Sequence, residues 1–226
     1  MPDPAPSAEL LRSLGRLARG LSALFWGLPA ALVVSVQTAV AGWFRTFGIV
    51  PPLAVSGLLL YGLWQMGHFQ KQERPWRNAL ERAKLLALVN CGLCPFLYWW
   101  NRMPANSFFS ASVVALAFSA ILFLFNLNLV LARLGAMLPD ETLRHETKHY
   151  TALNRGLLAA LLALTAICWF LREAPHLPPQ FDGMVDCLRQ SSRWALLFPV
   201  LVPLALTMAL IWKTKEVILN SVFGAE

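Results

Sequence analysis

Residues 145 to 149 read His145-Glu146-Thr147-Lys148-His149. Residues four apart on a helix share a face, so two imidazoles in this pattern could hold one divalent cation while the glutamate activates its bound water. Glu141, four residues before His145, extends the stripe with a further carboxylate. A second set is made of thiols. Cys91 and Cys94 form a C-x-x-C pair directly before Pro95, and Cys168 and Cys187 follow far along the chain. Two thiol pairs on one side of a membrane could pass electrons by disulfide exchange. A third set is polar and uncharged: Gln37, Thr38, Gln65, His68, Asn90, Asn126, Asn128, Thr165 and Thr207 interrupt otherwise apolar runs. In lipid such groups either bond helices to one another, the favoured reading of Asn90, Asn126 and Asn128, or line a path for a small solute.

Two of these sets carry a likeness to known chemistry. The H-E-x-x-H stretch resembles the motif of zinc metallopeptidases, some of them membrane-embedded. That implies zinc on His145 and His149, with Glu146 as the base. The likeness covers five residues and departs from the pattern where Arg144 and Lys148 place cations beside the metal. Asp182-Gly183 is similar to the distal element of intramembrane metallopeptidases, but falls on the opposite side of the membrane in the topology derived below. The favoured reading is a solvated helix opening at Pro139-Asp140-Glu141, with Leu143, Tyr150 and Leu153 as its apolar seam. The four cysteines are similar in arrangement to quinone-coupled disulfide-generating membrane proteins, which implies Cys91 with Cys94, Cys168 with Cys187, and a quinone acceptor. Cys91 lies deep in an apolar run, where a thiolate is costly. Small apolar residues at helix contacts are the favoured reading of the thiols.

The elements that must position these residues follow from composition. The 226 residues are 57% hydrophobic and 14% charged, against about 45–50% and about 25% for a soluble domain. Six stretches lack Asp, Glu, Lys and Arg: 20–44, 46–70, 85–101, 103–132, 156–171 and 194–212. A helix needs about 20 apolar residues to cross roughly 30 Å of hydrocarbon. Continuous apolarity without period-two alternation selects helices over a barrel. The expected fold is an all-α membrane protein, a polytopic transmembrane helical bundle of about six spans near 21–44, 53–69, 84–101, 107–132, 153–171 and 193–212. Residues 1–20 read as a disordered start and a basic amphipathic helix, which either lies on the membrane surface or extends the first span. Residues 213–226 read as a short tail.

Basic residues sort by side. Six spans place Arg12, Arg16 and Arg19 with the 70–83 loop, the 133–152 segment, Lys213 and Lys215. Fewer fall opposite: Arg45, Arg102, Arg172, Arg189 and Arg193. The positive-inside rule then puts both termini in the cytoplasm, of a bacterial inner membrane if the thiols face an oxidising side. The net charge of +7 is accounted for by topology and calls for no nucleic acid. Arg12–Arg19, an apolar stretch and Ala39-Val40-Ala41 also imitate a cleaved signal peptide over 1–41, although the stretch is long for one.

No Asp or Glu lies in any apolar run, and there is no Walker loop, G-x-G-x-x-G or G-x-S-x-G. An ion-coupled carrier, an ATPase and a dinucleotide enzyme are thereby disfavoured. The expectation is a non-catalytic subunit, scaffold or accessory of a membrane assembly, with lipid and a protein partner and no cofactor. The alternatives are a thiol-disulfide oxidoreductase using quinone, a zinc-dependent hydrolase, and an uncoupled channel or facilitator lined by Gln37, Asn90 or Asn126.

Overall fold

The computed structural model describes residues 8–40, 46–69, 73–137, 141–173 and 193–223, and these are helical almost throughout. In chain order the helices are α1 (Ala8–Val40), α2 (Val50–Met66), α3 (Arg74–Leu93), α4 (Pro95–Arg102), α5 (Ser107–Met137), α6 (Glu141–Glu173) and α7 (Arg193–Phe223). Four stretches are long and apolar enough to cross a membrane: Arg12–Val40, Arg74–Arg102, Ser107–Met137 and Thr147–Phe170. Val50–Met66 is a shorter apolar helix, and α7 carries the last apolar run. The chain is an all-α membrane bundle.

The helices are longer than the sequence runs require. At 1.5 Å per residue the 33 residues of α1 and of α6 extend about 50 Å, well beyond a ~30 Å hydrocarbon core. Where the sequence reads a loop over 70–83, α3 has already begun at Arg74. Pro75 sits in its first turn, where a missing N–H costs nothing and the fixed φ suits a helix. The basic stretch 12–19 is likewise no separate surface helix but the opening turns of α1. The segment 133–152 is mostly the end of α5 and the start of α6.

These extended ends are packed into the core. Leu17, Leu21 and Leu24 of α1, Leu63 and Met66 of α2, Trp76 and Leu80 of α3, Leu131 and Leu134 of α5, and Ile211 and Ile218 of α7 form one buried cluster at the basic end. Backbone approach permits it. A Cβ on Gly20 would lie 2.6 Å from the carbonyl oxygen of Gly62, and one on Gly62 would lie 3.0 Å from that of Gly20. Small residues at such a crossing let α1 and α2 touch main chain to main chain, the usual device for packing helices in lipid.

Toward the other end the helices carry exposed Val33, Val36, Leu88, Ile167 and Phe170, as lipid-facing surface should. One polar pin holds there: the Asn101 amide donates to the Thr38 carbonyl at 2.9 Å, tying α4 to α1. An aromatic belt surrounds it. Trp99 stacks on Phe109 at 6.4 Å and the Arg102 guanidinium lies 5.2 Å from the Tyr98 ring centre. Aromatic and cationic side chains of this kind settle at the headgroup level.

Candidate functional site

The densest polar chemistry in the bundle lies between α5, α6 and α7. Asn128 and Asn154 are fully buried, as is Thr207. The two N–H bonds of the Asn154 amide have three acceptors in reach: Asn128 Oδ1 at 3.0 Å, Thr207 Oγ1 at 2.9 Å and the Pro203 carbonyl at 3.2 Å. The Asn128 amide donates to Thr207 Oγ1 at 2.9 Å and to its own helix at Leu124 at 2.8 Å. Thr207 donates in turn to the Pro203 carbonyl at 2.7 Å. The hydroxyl therefore accepts twice and donates once, which exhausts its capacity. Three helices meet at one saturated oxygen.

Toward the basic end the same face of α6 continues with buried Thr151 and Thr147. The spacing 147, 151, 154 is one helical stripe. Thr147 Oγ1, Thr151 Oγ1 and Asn154 Oδ1 are buried without a hydrogen-bond partner among the described residues. Gly135 of α5 makes room for Thr147: a Cβ there would come within 3.2 Å of its methyl carbon. Sequence reasoning expected the reverse orientation, with Tyr150 and Leu153 inside. Both are exposed, at 47% and 54%. The physical reason is lipid. Where the outer solvent is hydrocarbon, apolar side chains gain nothing by turning inward, while Asn154 finds polar partners on α5 and α7 and the small threonines let the helices approach closely. Asn154 escaped notice because it adjoins Arg155 and so reads as part of a charged flank. The three-residue polar stripe was the available signal.

Of Asn90, Asn126 and Asn128, all expected to bond helices to one another, Asn128 does so. Asn126, two residues away, faces elsewhere and donates to its own Leu122 carbonyl at 2.9 Å. Asn90 is partly buried, with Oδ1 unpaired among the described residues.

The thiols sit as follows. Cys91, Cys94 and Cys168 are unbonded, and Cys187 lies outside the described residues. Pro95 has no N–H, so the Cys91 carbonyl lacks its ordinary helical donor. The Cys94 thiol fills that place, donating to the Cys91 carbonyl at 3.2 Å. The helix breaks here into α3 and α4, and Cys94 is buried. Cys168 is on α6, remote in sequence and half-buried.

Of the H-E-x-x-H stretch, the side chains of Glu141, His145 and Glu146 lie outside the described residues. His149 is exposed and points away from the Thr147–Thr151–Asn154 stripe. Among the described residues no three His, Cys, Asp or Glu side chains gather closely enough to hold a metal ion. In comparison with known proteins, no family model matches the chain, and no curated protein and no solved structure matches it either.

Proposed function

We propose that this chain is a non-catalytic membrane subunit, scaffold or accessory that acts through contacts with a protein partner at the cytoplasmic face of a bacterial inner membrane. The observation that carries the reading is the packing of the basic end. There the helices are long enough to reach past the hydrocarbon, and their ends share one buried cluster. A rigid platform results, with Arg12, Arg16 and Arg19 of α1 and Arg74, Arg77 and Arg82 of α3 exposed along it. Arg77 and Glu81 approach to 3.6 Å, and both are well exposed. A surface pair of that kind contributes little to stability, so these charges are available to a partner. The buried polar groups support the same reading from the other side: the Asn128–Asn154–Thr207 knot serves to bond helices.

The positive-inside rule supports the cytoplasmic placement of the platform. The test is purification from native membranes in mild detergent, with mass and stoichiometry measured by light scattering. A defined complex is expected, dissociated by the paired reversals Arg77→Glu and Arg82→Glu while the chain itself stays folded. A lone chain containing stoichiometric zinc or quinone, or one that oxidises a dithiol with quinone, would overturn the proposal.

A further inference from the structure

From the outer face of the α3/α5 seam we infer a binding site for one zwitterionic phospholipid, phosphatidylethanolamine, with its phosphate on Arg82, its ammonium on Glu81 and an acyl chain along α3. The hollow there is about 400 Å³ and is lined by Asn78, Glu81, Arg82, Leu85 and Leu86 of α3 and by Asn126 of α5. It lies where α3 changes from charged to apolar. Toward the basic end stand Asn78, Glu81 and Arg82. Toward the other end Leu85, Leu88 and Val89 are exposed, at 62%, 61% and 40%. Positions 78, 81, 82, 85, 88, 89 and 92 are all exposed and share one face at helical spacing. Charged edge and apolar track are therefore continuous, as an amphiphile at the boundary of headgroups and hydrocarbon requires.

The polar edge carries both signs of charge. Arg82 is exposed and makes no ion pair among the described residues. Beside it, Glu81 meets Arg77 Nε through Oε1 alone, at 3.6 Å. That is a loose surface contact, and it leaves Oε2 to accept. The Asn126 amide nitrogen is spent on the Leu122 carbonyl, so this side chain chiefly offers an acceptor, and Asn78 offers an amide of either polarity. One guanidinium, one carboxylate and two amides match a headgroup that is itself an anion and a cation on a short link. Arg74, Arg77 and Arg133 belong to the same two helices but stand outside the lining. They draw the phosphate of any phospholipid alike, so the choice among headgroups falls to Glu81. A headgroup that is only anionic leaves that carboxylate unmatched. A trimethylammonium has no N–H to give it, whereas a primary ammonium has three.

The test is native mass spectrometry of the intact chain in a neutral detergent, titrated with phosphatidylethanolamine, phosphatidylcholine or phosphatidylglycerol of the same acyl chains. One phosphatidylethanolamine per chain is expected to be retained, preferred about threefold over each of the others, the size of one exposed ionic contact. Glu81→Gln should abolish that preference. Arg82→Gln should lower retention of all three lipids, while Arg77→Gln, which breaks the surface pair outside the lining, should leave the preference in place. Asn78→Trp fills the hollow from an exposed position and should reduce retention of every lipid. Helicity and elution volume check that each variant is folded; should Asn78→Trp fail there, Leu85→Trp, also exposed, reads the same hollow. Equal retention of the three lipids by the unaltered chain overturns the inference, as does preference for phosphatidylglycerol. So does a preference that survives Glu81→Gln, undiminished retention in the filled variant, or binding of soluble phosphoethanolamine as tight as that of the lipid.

Discussion

Replacing Asn154 with leucine removes an amide whose two N–H bonds reach three acceptors, and a naive sum would make this a very damaging change. Atom by atom the cost is smaller. Thr207 Oγ1 keeps the Asn128 amide as donor, at 2.9 Å. The Pro203 carbonyl keeps the Thr207 hydroxyl, at 2.7 Å. Only Asn128 Oδ1 is newly stranded. Against that, the substitution removes Asn154 Oδ1, which has no partner among the described residues, and leucine fills the volume. Interhelical hydrogen bonds in membranes average about 0.6 kcal/mol and reach about 1.7. The expected cost of Asn154→Leu is therefore about 1 kcal/mol.

Asn154→Asp is nearly the same size and reverses the ordering. Its oxygens would face Asn128 Oδ1, Thr207 Oγ1 and the Pro203 carbonyl, three acceptors in place of a donor's partners. It must carry a charge at membrane depth or take up a proton, a cost of about 3 kcal/mol or more. The assay is reversible unfolding in mixed micelles or by steric trapping, with Asn128→Leu and the double variant Asn128→Leu/Asn154→Leu closing a cycle. The Asn154–Asn128 bond at 3.0 Å should appear as a coupling of about 0.5–1 kcal/mol. If the two single costs add within about 0.3–0.5 kcal/mol, the level expected of independent sites, or if aspartate is tolerated as well as leucine, the knot does not exist as described.

Three further outcomes follow from the same packing. Gly20→Val should destabilise by about 2–3 kcal/mol, because a Cβ there meets the Gly62 carbonyl at 2.6 Å and backbone cannot yield cheaply; Gly57→Ala, with nothing within 4 Å, should be neutral or gain up to about 1 kcal/mol from helix propensity, both read by the same unfolding assay. In the folded chain in detergent, a maleimide should modify Cys91 and Cys168 faster than Cys94, which is 3% exposed and hydrogen-bonded to Cys91; equal rates would show that the α3–α4 joint opens. Single cysteines at Asn78 and Lys148, in a chain freed of its own thiols, should be labelled from the same side of sealed vesicles, and opposite sidedness would undo the assignment of the basic end.

What could be read from the residues alone divides along a physical line. Six charge-free runs and the sorting of arginines report on lipid, a solvent that acts on each run separately, so the helical bundle was legible without knowing any contact. The helix lengths were not. Arg74-Pro75-Trp76 looks like a break, yet proline in a first turn starts a helix, and Trp76 is 1% exposed because it belongs to the core that α3 shares with its neighbours α2 and α5.

The interior polarity was legible only in part, for a related reason. Asn126 and Asn128 stand out equally in an apolar run, yet only Asn128 bonds other helices, while Asn126 bonds its own Leu122 carbonyl. Asn154, Thr151 and Thr147 lie in a stretch that also holds Arg144, Lys148 and Arg155, and the rule that apolar residues turn inward gave the wrong face there. That rule belongs to water. Near the headgroups a helix meets both solvents within a few turns, and at Asn154 the buried face is set by neighbours that accept its hydrogen bonds. For α6 those neighbours are Asn128, Thr207 and the Pro203 carbonyl, 26, 53 and 49 residues away in sequence. A pattern confined to one helix carries no information about them. Orientation here is a property of the three-helix set, so the double variant above tests the fold itself rather than a single bond within it.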